Sequence, residues 1–594
     1  MLILVIPSCE DYLDKAPEAS ISDKDAYGNF DSFQGAVEEM YNCVMDPDKG
    51  GAWNNYSFAD ENLGPNPYPF DQGNYWSNST YFYGHSVSTT GLNSRNNRVW
   101  EYAWYAIRKA NICLAKLDEE GLFQGTDEEY NLLKGQSLFF RGFFYFEICR
   151  YWGGMPYIKR ALSPTENLFT DEFTRLSFQE TAKLMAADFK AAAALLPDHW
   201  DNCVTGQATL GQNDQRINKF FALGYEGKAL LYAGSPMPNE EATGTNGFDA
   251  DLCKQAAEAF GELLNLADQT GIYKMKSFDE RTDNFWGWNY ERPGKGPQAE
   301  CIMMPTIYDR GRVRWSTIGA KVPSSFGLNS GSAADVPTQN IVKNYTMANG
   351  LPCYEPDGVT VNAASGFDPN DPWTNREPRF YADIVIDGDR ISSIKASEYY
   401  AQLSTGAYHR ADIIPACATG YYCRKFAPMS KALTTSLVNK LQTYVPYLRL
   451  SDVYLMYSES VLEGYGTAQS KSTNYSMTAE QALNVVRNRA EIPDIASIYT
   501  ADKESFFEEI VRERAVELLY EGARFCDLRR WNRNSDKRYL DKTAIDFDRG
   551  SDGKPTNISE RVIITRPAGS KYNWLPIQVK YTQQYKGFPQ NPGW

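Results

Sequence analysis

"RERAVELLYEGARFCDLRRWN", residues 512–532, governs how the rest of the chain is read. Just upstream, Ser505 and Glu508 stand in capping-box spacing, which predicts a helix starting at Ser505. Phe507, Ile510, Val511, Leu518 and Leu519 then share one side of that helix, the side to be buried. The remaining positions carry charge: Arg512, Glu513, Arg514, Glu517 and Glu521. Carboxylates beside arginines have the look of an acid/base set. At i,i+3 and i,i+4 spacing they read instead as structural ion pairs along the helix, so no catalytic residue is assigned.

The same helical pattern extends in both directions. "PYLRLSDVYLMYSESVLEGYG" (446–466) stacks Leu450, Val453, Tyr454, Tyr457 and Val461. "TAEQALNVVRNRA" (478–490) opens with Thr478 and Gln481 in capping-box spacing. Nearer the N-terminus, residues 98–118 place Trp100, Ala103, Trp104, Ile107 and Leu114 near one face. Residues 126–151 open with Thr126 and Glu129 and run to paired glycines. Further helices are expected at 177–196, 216–233 and 252–268, and a short strand at "FYADIVIDG" (380–388). The fold class is therefore mainly α, with tetratricopeptide-like helix pairs that show no clean 34-residue period, long loop-rich insertions and a few short strands.

Composition narrows the function. The chain has 594 residues, more than one simple core accommodates. Its net charge is −15 and no basic stretch interrupts it, which argues against nucleic acid and against an anionic membrane surface as partners. No stretch after residue 9 approaches the roughly 18 apolar residues of a spanning helix, so any membrane attachment must be a lipid. The eleven cysteines are scattered singly, and His85, His199 and His409 lie far apart, so no zinc site is expected. Cys113 and Cys149 sit in helical apolar patterns and read as buried thiols. "DGDR" (387–390) and "DPNDPW" (368–373) lack the ligand series of a calcium loop and read as turns. Neither a metal nor a cofactor is assigned.

Aromatic residues make up 14% of the chain, including 39 Tyr and 13 Trp, a surplus that suggests recognition surfaces. Two loop-rich regions concentrate them. Residues 50–94 hold no Lys or Arg, and supply Trp53, Trp76 and Tyr81 beside Asn55, Asp60 and Asn62. Residues 280–440 supply Asp283, Trp286, Trp288, Arg314 and Trp315. Flat rings suit the C–H faces of sugars, while Asp, Asn and Arg suit their hydroxyls. These eleven residues are the candidate glycan-binding set. A packed aromatic face, a structural salt bridge for Arg314 and a cap for Asp60 are the competing readings.

With these blocks in view, the chain resembles the SusD/RagB family of surface lipoproteins from nutrient-uptake systems. The resemblance rests on six blocks in order: "SLFFRGFFYFEICRYWGGMPYI" (137–158), "NREPRFYADIV" (375–385), "LRLSDVYLMYSESV" (448–461), "VVRNRA" (485–490), the 512–532 signature, and "WLPIQVKYTQQYKGFPQNPGW" (574–594). It implies a SusD-like domain over 9–594, with an N-terminal part to about 270 and a C-terminal part from about 271. It also implies a non-enzymatic protein that binds oligosaccharides, or peptides in RagB-type members, and partners a SusC-like TonB-dependent transporter. A glycoside hydrolase and a cytosolic helical scaffold are the readings from other classes.

The start, "LVIPSCEDYLD" (4–14), bears on location. The family places a lipidated cysteine just ahead of such a "DYLD" segment. Residues 1–8 are accordingly expected to be the end of a truncated lipoprotein leader and Cys9 the lipidation site, with Glu10 and Asp11 resembling an acidic outward-sorting signal. The implied location is the outer membrane, lipid-anchored and surface-exposed.

Overall fold

Helix ends fall where the capping residues put them. A computed structural model of the chain describes residues 22–44, 59–63, 71–76, 99–288, 299–304, 336–390, 400–410, 417–426 and 441–594; of 286–288 and 441–443 it describes the backbone only. Thr126 and Glu129, Ser177 and Glu180, and Thr478 and Gln481 each form a reciprocal capping box. Each box satisfies two backbone donors that a helix start otherwise leaves unpaired.

Six helices follow in order: α1 (Phe30–Tyr41), α2 (Val99–Leu117), α3 (Asp127–Trp152), α4 (Phe178–Leu195), α5 (Lys219–Gly234) and α6 (Ala250–Thr270). Each packs on the next. α3 is buried nearly all round, and its deepest cation is matched. Arg141 Nε and Nη2 donate to Asp188 of α4 at 2.6 and 2.7 Å, and Nη1 donates to Asn111 of α2 at 3.0 Å. α5 approaches α6 closely at Gly227, where a Cβ would stand 2.6 Å from the Phe260 ring.

The stack then continues in space but not in sequence. α7 (Leu450–Tyr465) packs on α6, although residues 271–449 intervene, and α8 (Ala479–Arg489) and α9 (Lys503–Glu517) pack on α7. α10 (Arg524–Arg530) closes the signature. The expected helix start at Ser505 is corrected: Asp502 is the cap, accepting from Ser505 N at 2.8 Å, and Glu508 pairs instead with Arg533 and Arg538. An Asp three residues ahead of Ser505 is as good an acceptor as the serine, and the helix takes the earlier one. Leu518 and Leu519 lie past the end of α9 but are buried as expected.

All the strands described pair antiparallel: β1 (Asn62–Leu63), β2 (Trp286–Trp288), β3 (Cys301–Met303), β4 (Val336–Pro337), β5 (Ile384–Val385), β6 (Tyr422–Cys423), β7 (Leu441–Thr443), β8 (Leu448–Arg449), β9 (Asp541–Arg549) and β10 (Pro555–Thr565). The pairs are β1 with β4, β2 with β7, β3 with β8, β5 with β6, and β9 with β10. The strand expected over 380–388 shrinks to β5, because Pro378 starts a short helix that runs to Asp383.

The helical stack encloses one large core. A second apolar cluster, including Leu63, Phe285, Phe380, Tyr421, Leu519 and Phe547, gathers the inserted segments. Among the described residues no helix is long and apolar enough to cross a membrane, and no group of side chains is placed to hold a metal ion. Cys113 and Cys149 are buried free thiols.

The signature charges are structural, as the sequence suggested, but most of their partners are distant. Glu513 pairs with Arg379 and Arg487, Glu517 with Arg379, Arg449 and Arg489, and Arg514 with Asp452 and Asp527. Of the five, only Arg512 has its partner one turn away, at Glu509. Burial by itself would raise the Glu517 carboxyl, yet the surrounding arginines hold it well below the usual range.

Candidate functional site

The first aromatic region is tied down by its polar residues. Asp60, in the segment 59–63, is 1% exposed, and its two oxygens accept from Arg524 Nε and Nη2 at 2.9 and 3.1 Å. Burial pushes its carboxyl up, but the Arg524 guanidinium prevails and holds it below its ordinary value. Asn62 is fully buried in β1, where Oδ1 accepts from the Tyr520 hydroxyl at 2.9 Å and the backbone oxygen accepts from Lys542 Nζ at 2.7 Å. Asp60 and Asn62 therefore act as anchors, and their expected role as glycan contacts is corrected: their polar atoms are already held inside the protein.

Between them, Glu61 Oε2 accepts from Tyr520 N at 3.2 Å, while Oε1 has no hydrogen-bond partner among the described residues. Burial pushes this carboxyl up to about 8. Tyr520 itself has φ 60°, a left-handed backbone rare for a bulky residue, and Glu61 and Asn62 grip it from both ends.

The second region is rooted on the same signature turn. Phe285 precedes β2 and lies in the second core, with Lys425 Nζ 5.0 Å and Arg449 Cζ 5.6 Å from its ring centre. Both cations pair with Glu521, each at 2.7 Å. Residues 517–524 thus hold both aromatic regions, one through Tyr520 and Arg524, the other through Glu517 and Glu521. Asp283 is exposed on the turn before β2, and its carboxyl is raised by partial burial and by Glu280. Trp286 and Trp288 lie two apart on β2, opposite Thr443 and Leu441, with side chains outside the described residues. Trp53, Asn55, Tyr81, Arg314, Trp315 and Cys9 also lie outside them.

Trp76 is the expected aromatic contact that the structure places at the surface among the described residues, at 38% exposed. Its ring meets Trp594 edge-on, with centroids 6.1 Å apart. Trp594 is stacked on Tyr75 at 5.6 Å, meets Tyr572 edge-on at 5.9 Å, and carries Lys571 Nζ 4.2 Å above its ring. Gly73, at φ 71°, lets the 71–76 segment lie against 567–572; a Cβ there would stand 2.6 Å from Pro567. The result is a corner of aromatic faces with an ammonium beside it, suited to the C–H face and hydroxyls of a sugar. Sequence reasoning missed Tyr572, Trp594 and Lys571. The only local signal was the aromatic ending of the "NPGW" tail, roughly 500 residues from Trp76.

Comparison with known proteins agrees with this architecture. Residues 299–594 match a family model described as the SusD family, and residues 11–210 match one described as "Starch-binding associating with outer membrane". "SusD-like protein P38" from Formosa agariphila is 22% identical over 540 residues, covering 89% of each chain. A solved SusD-like protein from Bacteroides fragilis superposes with TM-score 0.70 at 19% identity, covering 98% of this chain and 100% of that one. A SusD-like carbohydrate binding protein from the same species gives 0.63 at 17% identity, covering 94% and 99%.

Proposed function

Since this chain belongs to the SusD/RagB family, we propose that it captures oligosaccharides at the cell surface and hands them to a SusC-like TonB-dependent transporter in the outer membrane. The observation that carries this reading is the half-open corner formed by Trp76 and Trp594. A binding role without bond cleavage fits the carboxylates of the signature, which are buried against arginines and leave no free acid/base pair. Exposed Asp283 and the β2 tryptophans extend the ligand surface on the second loop. The anchor is Cys9, carrying diacylglycerol and an amide-linked chain, since more than one acyl chain is needed for stable attachment.

Incubation of the purified protein with neutral oligosaccharides tests the reading. Capture without new reducing ends is expected, whereas their release would identify a glycoside hydrolase. Binding of oligopeptides in place of sugars would identify a peptide importer. Metabolic labelling with a fatty acid should mark the wild type and not Cys9→Ala.

A further inference from the structure

A cleft of about 900 Å³ opens between α9, the loop 352–361 and β10. It is distinct from the aromatic corner and falls within the size range of ligand sites, roughly 300–1,000 Å³. Tyr354, Tyr499 and Tyr539 stand in its wall. Tyr354 is half-buried, its ring tilted against Phe367 at 5.1 Å with Lys343 Nζ 5.2 Å from the ring centre.

The charges around the cleft restrict what enters it. Carboxylates outnumber cations two to one, so phosphate, sulfate or uronate groups would be repelled. Three of the cations are nonetheless already neutralised: Lys343 by Glu560 at 2.5 Å, Arg538 by Glu508 at 3.5 Å, and Arg512 by Glu509. Asp357 is occupied by the backbone N–H groups of Val359 and Thr360, both at 2.8 Å. The wall thus offers cations that are already paired and a surplus of carboxylate acceptors. A hydroxyl group, which donates and accepts at once, satisfies both without an uncompensated ion.

Arg512 is the group most clearly short of partners. Its side chain is 12% exposed, yet among the described residues its sole ion pair is with Glu509. Burial and the neighbouring Arg487 push it down to about 10. A guanidinium has five N–H donors, so donors are left over for a ligand in the cleft.

We infer that this cleft is a second saccharide site, taking a neutral oligosaccharide between the Arg512–Glu509 pair and the rings of Tyr354 and Tyr499. It rests on the ligand class of the proposed function but on none of the residues of the aromatic corner.

Hydroxyl-radical footprinting of the full chain tests the site, with maltohexaose, cellohexaose, xylohexaose and mannohexaose as probes. At least one should protect Tyr354 and Tyr499 severalfold, and the protection should persist in Trp76→Ala. Tyr354→Phe, which removes only the hydroxyl, and Arg512→Lys should each weaken the affinity read from Tyr499 by about tenfold. Protection of Trp76 without the tyrosines would overturn the cleft site and leave the proposed function standing. Protection of neither would overturn both. Protection of the tyrosines that vanishes in Trp76→Ala would show that no second site exists. Protection by hexa-arginine alone would assign the cleft to a basic peptide instead.

Discussion

Asp60 and Glu61 are neighbours in the chain, both buried, and they titrate in opposite directions. Asp60 is matched by Arg524, so its contribution to stability is present above the ordinary carboxylate range and lost as pH falls through its depressed value. Removing the charge in Asp60→Asn leaves Arg524 buried and uncompensated, and should cost about 3–5 kcal/mol in denaturant unfolding. Among the described residues Glu61 has no cation in direct contact. Its native state keeps a proton that the unfolded chain releases near 4.5, so stability is fully present below that pH and falls as pH rises to about 8. The difference in Tm between wild type and Glu61→Gln should therefore drift against the wild type from about pH 4.5 to 8 and level off above. A difference that stays flat across that range would show that Glu61 is ionised in the fold.

At the scale of elements, caps are the most legible feature and also the place where one reading slipped. Thr126, Ser177 and Thr478 were identifiable because the Glu or Gln three residues on completes a local pattern. Ser505 with Glu508 fits that pattern equally well, but Asp502 accepts from the backbone N–H of Ser505 and so starts the helix earlier, and Glu508 turns to Arg533. Asp502→Ala should accordingly lower stability by about 1 kcal/mol, and Ser505→Ala by only a few tenths. Equal losses would restore Ser505 as the cap. The strand after Phe380 was overextended for a related reason: alternation over 380–388 mimics a strand, while Pro378 starts a helical turn there.

Across the whole molecule, helix pairing was open to sequence reasoning because it depends on local periodicity. The jump from α6 to α7 over residues 271–449 was not, because no local pattern encodes a contact that far apart. The same limit explains the site. Asp60 and Asn62 look like ligand groups in an uncharged aromatic loop, and only their partners Arg524 and Tyr520, more than 450 residues away, make them anchors. Trp76 is exposed, and an exposed ring needs no distant partner to be recognised, whereas Trp594 gains its meaning from Trp76. The signature at 512–532 thus has a role beyond closing the helical stack: its turn holds the roots of both aromatic loops. Glu521→Ala should leave Lys425 and Arg449 short of a buried partner, lower stability by several kcal/mol and weaken ligand capture as well.

Isothermal titration calorimetry of the wild type, Trp76→Ala and Trp594→Ala against a panel of neutral oligosaccharides tests the central claim most directly. The account predicts measurable binding by the wild type to at least one glycan, and affinity reduced at least about tenfold in both variants, with Tm unchanged in Trp76→Ala. Glycan binding of equal strength in all three proteins, or none in the wild type, would contradict it.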